Sequence, residues 1–485
     1  MPNFNEQDQS IKEFEVEKAY LQFIFPFTLK EECSDSLSQL LQQQGYDFFT
    51  LDNSHLQDKY YGDHHTVSHY RMERIFLPNI EPIIFPSDST KKEGFRRFSK
   101  AFNQEFFLKG KYLQTIFQLL SIDIIICPFQ IGMMNIRVEL PDNMSYSEVI
   151  EFTDLFRVME PLVEEDSDIQ IGTKNQSYKM IKSFIFESLC PFMKNFLDEK
   201  NTNSSYFGSL PFYIDERLYV VGSIVLQEES KLEVQDLYRL GSISGFDNKG
   251  HPFIGAKNPA YMERFYDDHV YDRWADETYY VVTDYMFACI TKSQGELAHM
   301  LANQMFGQYY YSFLLFYYYR IILMKLTYDQ RRIHKGQNEV EVDTLIVQIT
   351  EFSAKIYNPE INSRLAGKEI SNYFKKSLGI DNLFTQVNKT LNDLYKNQER
   401  MTSKRHNSLL QILTLYTVVS GIYGMNLVIQ NWEGKIKWDK VLHYTIFEDI
   451  ALLVALSGIG ISSVIAIQAV KSYIKEKKRN KKNYL

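Results

Sequence analysis

Asn407, Gln411, Thr414, Thr417, Gly421 and Gly424 recur at steps of three or four, which stacks them on one face of a helix. A column of amide and hydroxyl oxygens offers neutral partners for a hydrated cation. Several copies of such a helix around an axis would line a water-filled pore, so this reading requires a symmetric oligomer. The same stripe also suits tight helix packing through small residues, as Ser420-x-x-x-Gly424 and Gly458-x-x-x-Ser462 do.

Three other segments carry residue types capable of chemistry. Asp267, Asp268, Asp272, Asp276 and Glu277 form an acidic and aromatic run that reads first as a solvated face, with a regulatory Mg2+ between subunits as the alternative. Asp63-His64-His65-x-x-x-His69 holds histidines at helical spacing but lacks the further ligands of a metal site. Gly241 to Lys257 is a glycine-rich loop that matches no phosphate-binding pattern. No nucleophile elbow, Walker motif or metalloprotease helix occurs, so no catalytic residue is assigned and enzymatic chemistry is not expected.

The elements that must position these residues follow from apolar periodicity. Glu15 to Thr28, Leu119 to Leu140 and Tyr213 to Leu226 are β-rich, with helical patterns between them at Tyr146 to Met159 and Tyr178 to Leu197. A cytoplasmic mixed α/β domain over 1–290 is the simplest reading. Residues 291–405 form a helical stalk. Its segment Phe306 to Leu326 (FGQYYYSFLLFYYYRIILMKL) is as apolar as a membrane span, but its hydroxyls and Arg320 suit a helix buried against protein.

Composition sets bounds on function. The chain has 485 residues, with 15% aromatic and 24% charged, which describes a folded chain of more than one unit. Its four cysteines are far apart and read as isolated thiols. The net charge of −8 hides an asymmetry: the last fifteen residues carry +6, which leaves −14 for the rest. An acidic body argues against direct nucleic-acid binding, and a basic end after an apolar run reads as a topology signal.

Two charge-free runs, about 407–429 and 450–470, predict a two-span transmembrane hairpin over 406–472, followed by a basic cytoplasmic tail, 473–485. Lys396, Arg400, Lys404 and Arg405 before the first run and the basic tail after the second place both termini in the cytoplasm of a cell-membrane protein. The polar start of the chain excludes a cleaved secretory signal.

The first run ends in Gly421-Ile422-Tyr423-Gly424-Met425-Asn426, which resembles the Tyr-Gly-Met-Asn signature of the CorA divalent-cation transporters. The resemblance implies a selectivity filter of Gly424, Met425 and Asn426, with Asn407, Gln411, Thr414, Thr417 and Gly421 lining the pore. It further implies a homopentameric funnel in the lipid bilayer that conducts Mg2+. The chain departs from the family after the motif, where Leu427-Val428-Ile429-Gln430-Asn431-Trp432 stands in place of an acidic loop. Its large N-terminal part is similar to the CRISPR-associated CorA-like proteins, which implies an alternative: an effector gated by a nucleotide messenger made from S-adenosylmethionine and ATP. A non-conducting, membrane-anchored interaction protein is the third reading.

Overall fold

Fourteen residues, Glu15–Thr28, make strand β1, and nearly all of them are buried. A strand buried on both faces belongs in the middle of a covered sheet. β1 accordingly pairs with Ile131–Glu139 (β5) on one side and Tyr219–Leu226 (β9) on the other. The computed structural model describes residues 11–63, 65–160, 169–198, 217–228, 231–333, 339–424 and scattered positions between 439 and 467. It divides into two units, Met1–Thr390 and Leu391–Leu485.

Among the described residues the sheet has twelve strands. The remaining ones are β2 (Asp47–Phe48), β3 (Arg96–Lys109), β4 (Gln114–Ile126), β6 (Met144–Ser145), β7 (Gln170–Thr173) and β8 (Gln176–Tyr178), then β10 (Val270–Tyr271), β11 (Thr278–Val282) and β12 (Met286–Thr291). Their order is β10-β11-β12-β9-β1-β5-β4-β3-β7-β8, with β2 on β3 and β6 on β1. The β9–β12 pair is parallel and the other ladders are antiparallel, so the sheet is mixed.

The helices are α1 (Ser34–Gln43), α2 (His69–Ile75), α3 (Glu81–Ile84), α4 (Tyr146–Arg157), α5 (Ile181–Ser183), α6 (Val234–Ser242), α7 (Pro259–His269), α8 (Gly295–Gln304), α9 (Tyr310–Ile333), α10 (Glu339–Glu351), α11 (Leu365–Ser377) and α12 (Ile380–Gly424). A π-helical turn, Met305–Tyr309, joins α8 to α9, and Gly307 within it leaves helical geometry.

Strand periodicity sorts the two faces of the sheet. Leu21, Phe23, Phe25 and Phe27 of β1, Ile122, Ile124 and Ile126 of β4, and Met134, Ile136 and Val138 of β5 join one apolar core. Phe152 and Phe156 of α4 and Leu237 and Leu240 of α6 belong to the same core. α4 starts at a capping box made by Ser145 and Glu148. The alternate residues, Gln22, Ser121, Asp123, Asn135 and Arg137, are also buried, on the opposite face.

α9 covers that polar face. Residues Tyr309 to Tyr319 are almost completely buried, and the tyrosine hydroxyls find partners there. Asn135 donates to Tyr310 at 3.0 Å, Arg97 donates to Tyr311, Tyr318 donates to the Pro128 carbonyl at 3.3 Å, and Tyr319 donates to the Ile356 carbonyl at 2.8 Å. Arg320 reaches Asp284 at 2.9 Å. The tyrosine hydroxyls of this aromatic helix thus meet partners on the sheet and on the segments beside it.

The expected transmembrane hairpin is overturned. Among the described residues no helix is long and apolar enough to cross a membrane. Residues 407–424 are the end of the 45-residue α12, where Leu409-Leu410, Ile412-Leu413 and Leu415 are interrupted by Gln411, Thr414 and Thr417, close after Arg400, Lys404 and Arg405. That falls short of the roughly twenty predominantly apolar residues a span needs. Of 450–470, the larger part lies outside the described residues. The expected membrane embedding with both termini cytoplasmic, the channel, and the CorA-like fold of funnel, stalk and two spans are withdrawn with the hairpin.

Candidate ligand-binding cleft

The first unit contains a cleft of about 850 Å³. Its walls come from distant parts of the chain: residues 66–75, Trp274, residues 296–308 and residues 364–367. Backbone hydrogen bonds explain how two of these meet. Leu77 N–H donates to the Ile361 carbonyl at 3.0 Å, and Ser363 N–H donates to the Ile75 carbonyl at 2.8 Å. Ser363 Oγ also donates to the carbonyls of Arg74 and Ile75 at 3.1 and 3.0 Å. This short pairing fixes the end of α2 beside the start of α11 and brings both Arg74 and Arg364 to the cleft.

Three arginines line it, Arg71 and Arg74 of α2 and Arg364 before α11, against one carboxylate, Glu296. Among the described residues none of the three arginines lies in an ion pair. Arg74 stacks over the Tyr70 ring at 4.5 Å. α11 begins without a side-chain cap, and its first-turn residues Ala366 and Gly367 line the cleft. The positive end of that helix therefore adds to the arginine charge.

The aromatic and amide groups are held differently. Trp274 Nε1 donates to Tyr309 Oη at 2.8 Å, which fixes the indole. Asn303 Oδ1 accepts from the Thr66 amide at 3.1 Å. Gln304 Oε1, the next amide along, is enclosed and has no partner among the described residues. Gly307 lines the cleft too, within the π-helical turn, a distortion that often marks functional sites. Asn362 is buried and donates to Ser312, Gly367 and Ser371, which braces the start of α11 against α9.

Behind the cleft, α9 begins at Tyr310 and Tyr311, which reach the charged cluster on the sheet. Asp123 is fully buried between Arg97, whose Nε lies at 3.1 Å, and Arg137, whose Nη2 lies at 2.6 Å. Burial pushes the Asp123 carboxyl up, but Arg137 and Arg97 together outweigh it and hold the pKa down at about 2. Burial works against the charge on both guanidinium groups, and the Asp123 carboxylate more than restores it.

The residues singled out in the sequence lie elsewhere. Asp267 and Asp268 are on α7, where Asp268 pairs with Lys376 at 2.5 Å. Asp272 accepts from Tyr266 at 2.9 Å, Glu277 accepts from the Leu232 amide at 3.2 Å, and Asp276 is exposed. Among the described residues no three His, Cys, Asp or Glu side chains gather to hold a metal ion. His65 packs edge-on to Tyr20 at 4.5 Å, whereas His69 contacts the Leu51 carbonyl and Phe49, with burial keeping its pKa low. Asn407, Gln411, Thr414 and Thr417 are exposed on α12, and Thr417 donates to the Leu413 carbonyl. Gly421 and Gly424 fall in the last turns of that helix, while Met425 and Asn426 lie outside the described residues.

None of the cleft residues was marked by a sequence motif. Arg71 and Arg74, three apart on one helical face beside Tyr70, were the legible signal. The fold and cleft define a mixed α/β protein with a cationic, aromatic-walled cavity. No family model, curated protein or solved structure matches the chain.

Proposed function

We propose that this chain is a small-molecule binding protein whose cleft takes an anionic ligand of the nucleotide class. The observation that carries the reading is the convergence of Arg71, Arg74 and Arg364 with Trp274 around one cavity whose lining holds a single carboxylate among the described residues. Guanidinium groups match phosphate oxygens in charge and geometry, and indole and guanidinium faces both stack on planar rings. A volume of about 850 Å³ falls in the range of ligand clefts. The uncapped N-terminus of α11 supplies a further phosphate-binding element.

Among the ligands expected from the sequence, the nucleotide messenger is of the class that this cleft suits. The role is that of a sensor or carrier, and no bond-breaking step is assigned to any residue.

Isothermal titration of the purified chain tests the reading. The panel comprises adenosine and guanosine mono- and triphosphates, the conjugate of S-adenosylmethionine with AMP, the corresponding nucleosides, and inorganic phosphate. Micromolar binding of at least one nucleotide, weakened at least tenfold in its nucleoside, supports the reading. Equal affinity for nucleosides and nucleotides, or no heat with any ligand, removes it.

A further inference from the structure

α2 has only seven residues, yet both of its ends are tied down. Ser68 Oγ accepts from the Arg71 amide at 3.4 Å, and at the other end Ser363 bonds to the carbonyls of Arg74 and Ile75. Arg71 and Arg74 leave this helix about 4.5 Å apart along its axis, on one face. Arg364 follows Ser363 directly and so enters the cleft beside the last turn of α2. The three cations therefore spring from a row, and the Tyr70 ring, 4.5 Å from the Arg74 guanidinium, holds that group on the α2 side.

Among the described residues none of the three is in an ion pair, and Glu296, the carboxylate of the lining, belongs to α8 and pairs with none of them. Like charges set along a cleft without a counter-charge focus a field that a polyanion answers. A monophosphate carries about −1.5 to −2 at neutral pH, enough for two guanidinium groups and not for a third. A chain of two or three phosphates extends along the row and meets all three.

We infer that the cleft holds two phosphate subsites, one made by Arg71 and Arg74 and the other by Arg364, and that its ligand is a nucleoside di- or triphosphate. The inference rests on the nucleotide reading and adds to it the number of phosphates. Successive phosphates of one ligand occupy the two subsites, each held by charge-assisted hydrogen bonds from the guanidinium N–H groups.

The experiment titrates AMP, ADP and ATP, and the guanosine series, into the full chain with divalent metal chelated, so that the arginines alone answer the phosphate charge. The same ligands are titrated into Arg364→Gln and into the double variant Arg71→Gln, Arg74→Gln, with circular dichroism checking that each is folded. In the wild type, the di- or triphosphate of at least one series is expected to bind at least about fivefold more tightly than its monophosphate, the size of one guanidinium contribution. One variant removes the subsite nearest the sugar and is expected to weaken every member of the series. The other is expected to weaken the di- and triphosphate at least about fivefold while the monophosphate changes less than about twofold.

A wild-type ratio below fivefold in both series overturns the inference and leaves the nucleotide reading standing. Losses of the same factor for mono- and triphosphate in both variants overturn it as well, because they mark a single shared phosphate site. Absence of binding by every nucleotide removes the underlying reading, and the inference falls with it. The comparison within each series is made on the wild-type chain, so it does not depend on whether a variant folds.

Discussion

Replacing Asp123 by Asn keeps the shape of the buried side chain and removes its charge. Among the described residues Asp123 is the one carboxylate in contact with both Arg97 and Arg137, at 3.1 and 2.6 Å, and all three side chains are buried. An asparagine can offer one oxygen to two guanidinium groups and turns an N–H toward the other. Two cations then remain uncompensated in a low-dielectric interior, a change that costs about 3–5 kcal/mol when one partner of a buried pair is removed. Arg97 also donates to Tyr311, and Asn135, within 3.5 Å of Asp123, donates to Tyr310, so the loss passes to the start of α9 and the wall of the cleft. Urea unfolding at neutral pH, followed by far-ultraviolet circular dichroism, measures the effect. A stability loss of about 3–5 kcal/mol is expected, with part of it restored in the double variant Asp123→Leu, Arg137→Met, which removes charge on both sides. A loss below about 1 kcal/mol, the size of an ordinary surface change, would refute the reasoning.

The same carboxylate sets an acid dependence. Its pKa falls from 3.8 to about 2 on folding, so the charged form is favoured in the native state. The corresponding contribution, about 2–3 kcal/mol, is fully present above pH ~4 and is lost as the pH drops toward 2. Urea midpoints measured across that window should fall with acid in the wild type, and the fall should be shallower in Asp123→Asn; parallel curves would contradict the assignment. Gly367→Ala addresses the start of α11. A Cβ at that position would lie 2.8 Å from Cβ and Cγ of Asn362, which is itself buried and bonded to Ser312 and Ser371. Overpacking there is expected to destabilise the chain by about 1–3 kcal/mol and to weaken nucleotide binding, and an unchanged melting curve would show that Asn362 yields freely.

Much of the sheet was legible in advance, since β1, β4, β5 and β9 announce themselves as apolar runs rich in branched and aromatic residues. What those runs conceal is the second face. Asp123 sits between isoleucines at 122 and 124, and period-two alternation marks it as facing away from the apolar core without saying what covers it. The cover is α9, whose hydroxyls suit a helix buried against protein in the sequence and whose tyrosines prove to be partners for buried arginine and asparagine.

The expected hairpin failed for a related reason. Freedom from charge is not the same as apolarity, and α12 carries Gln411, Thr414 and Thr417 through the stretch that was read as a span. The cleft was hidden because its walls are up to about three hundred positions apart in the chain. Segments 63–69 and 267–277 were both singled out, but for their histidines and acids. The residues that matter in the cleft are their neighbours Arg71, Arg74 and Trp274.

Calorimetric titration of the nucleotide panel into the wild-type chain and into the triple variant Arg71→Gln, Arg74→Gln, Arg364→Gln tests the central claim most directly. Each exposed guanidinium is expected to contribute about 1 kcal/mol through its charge-assisted hydrogen bonds, so the triple variant should bind at least a hundredfold more weakly while unfolding at the same urea concentration. Undiminished nucleotide affinity in a folded triple variant would contradict the account.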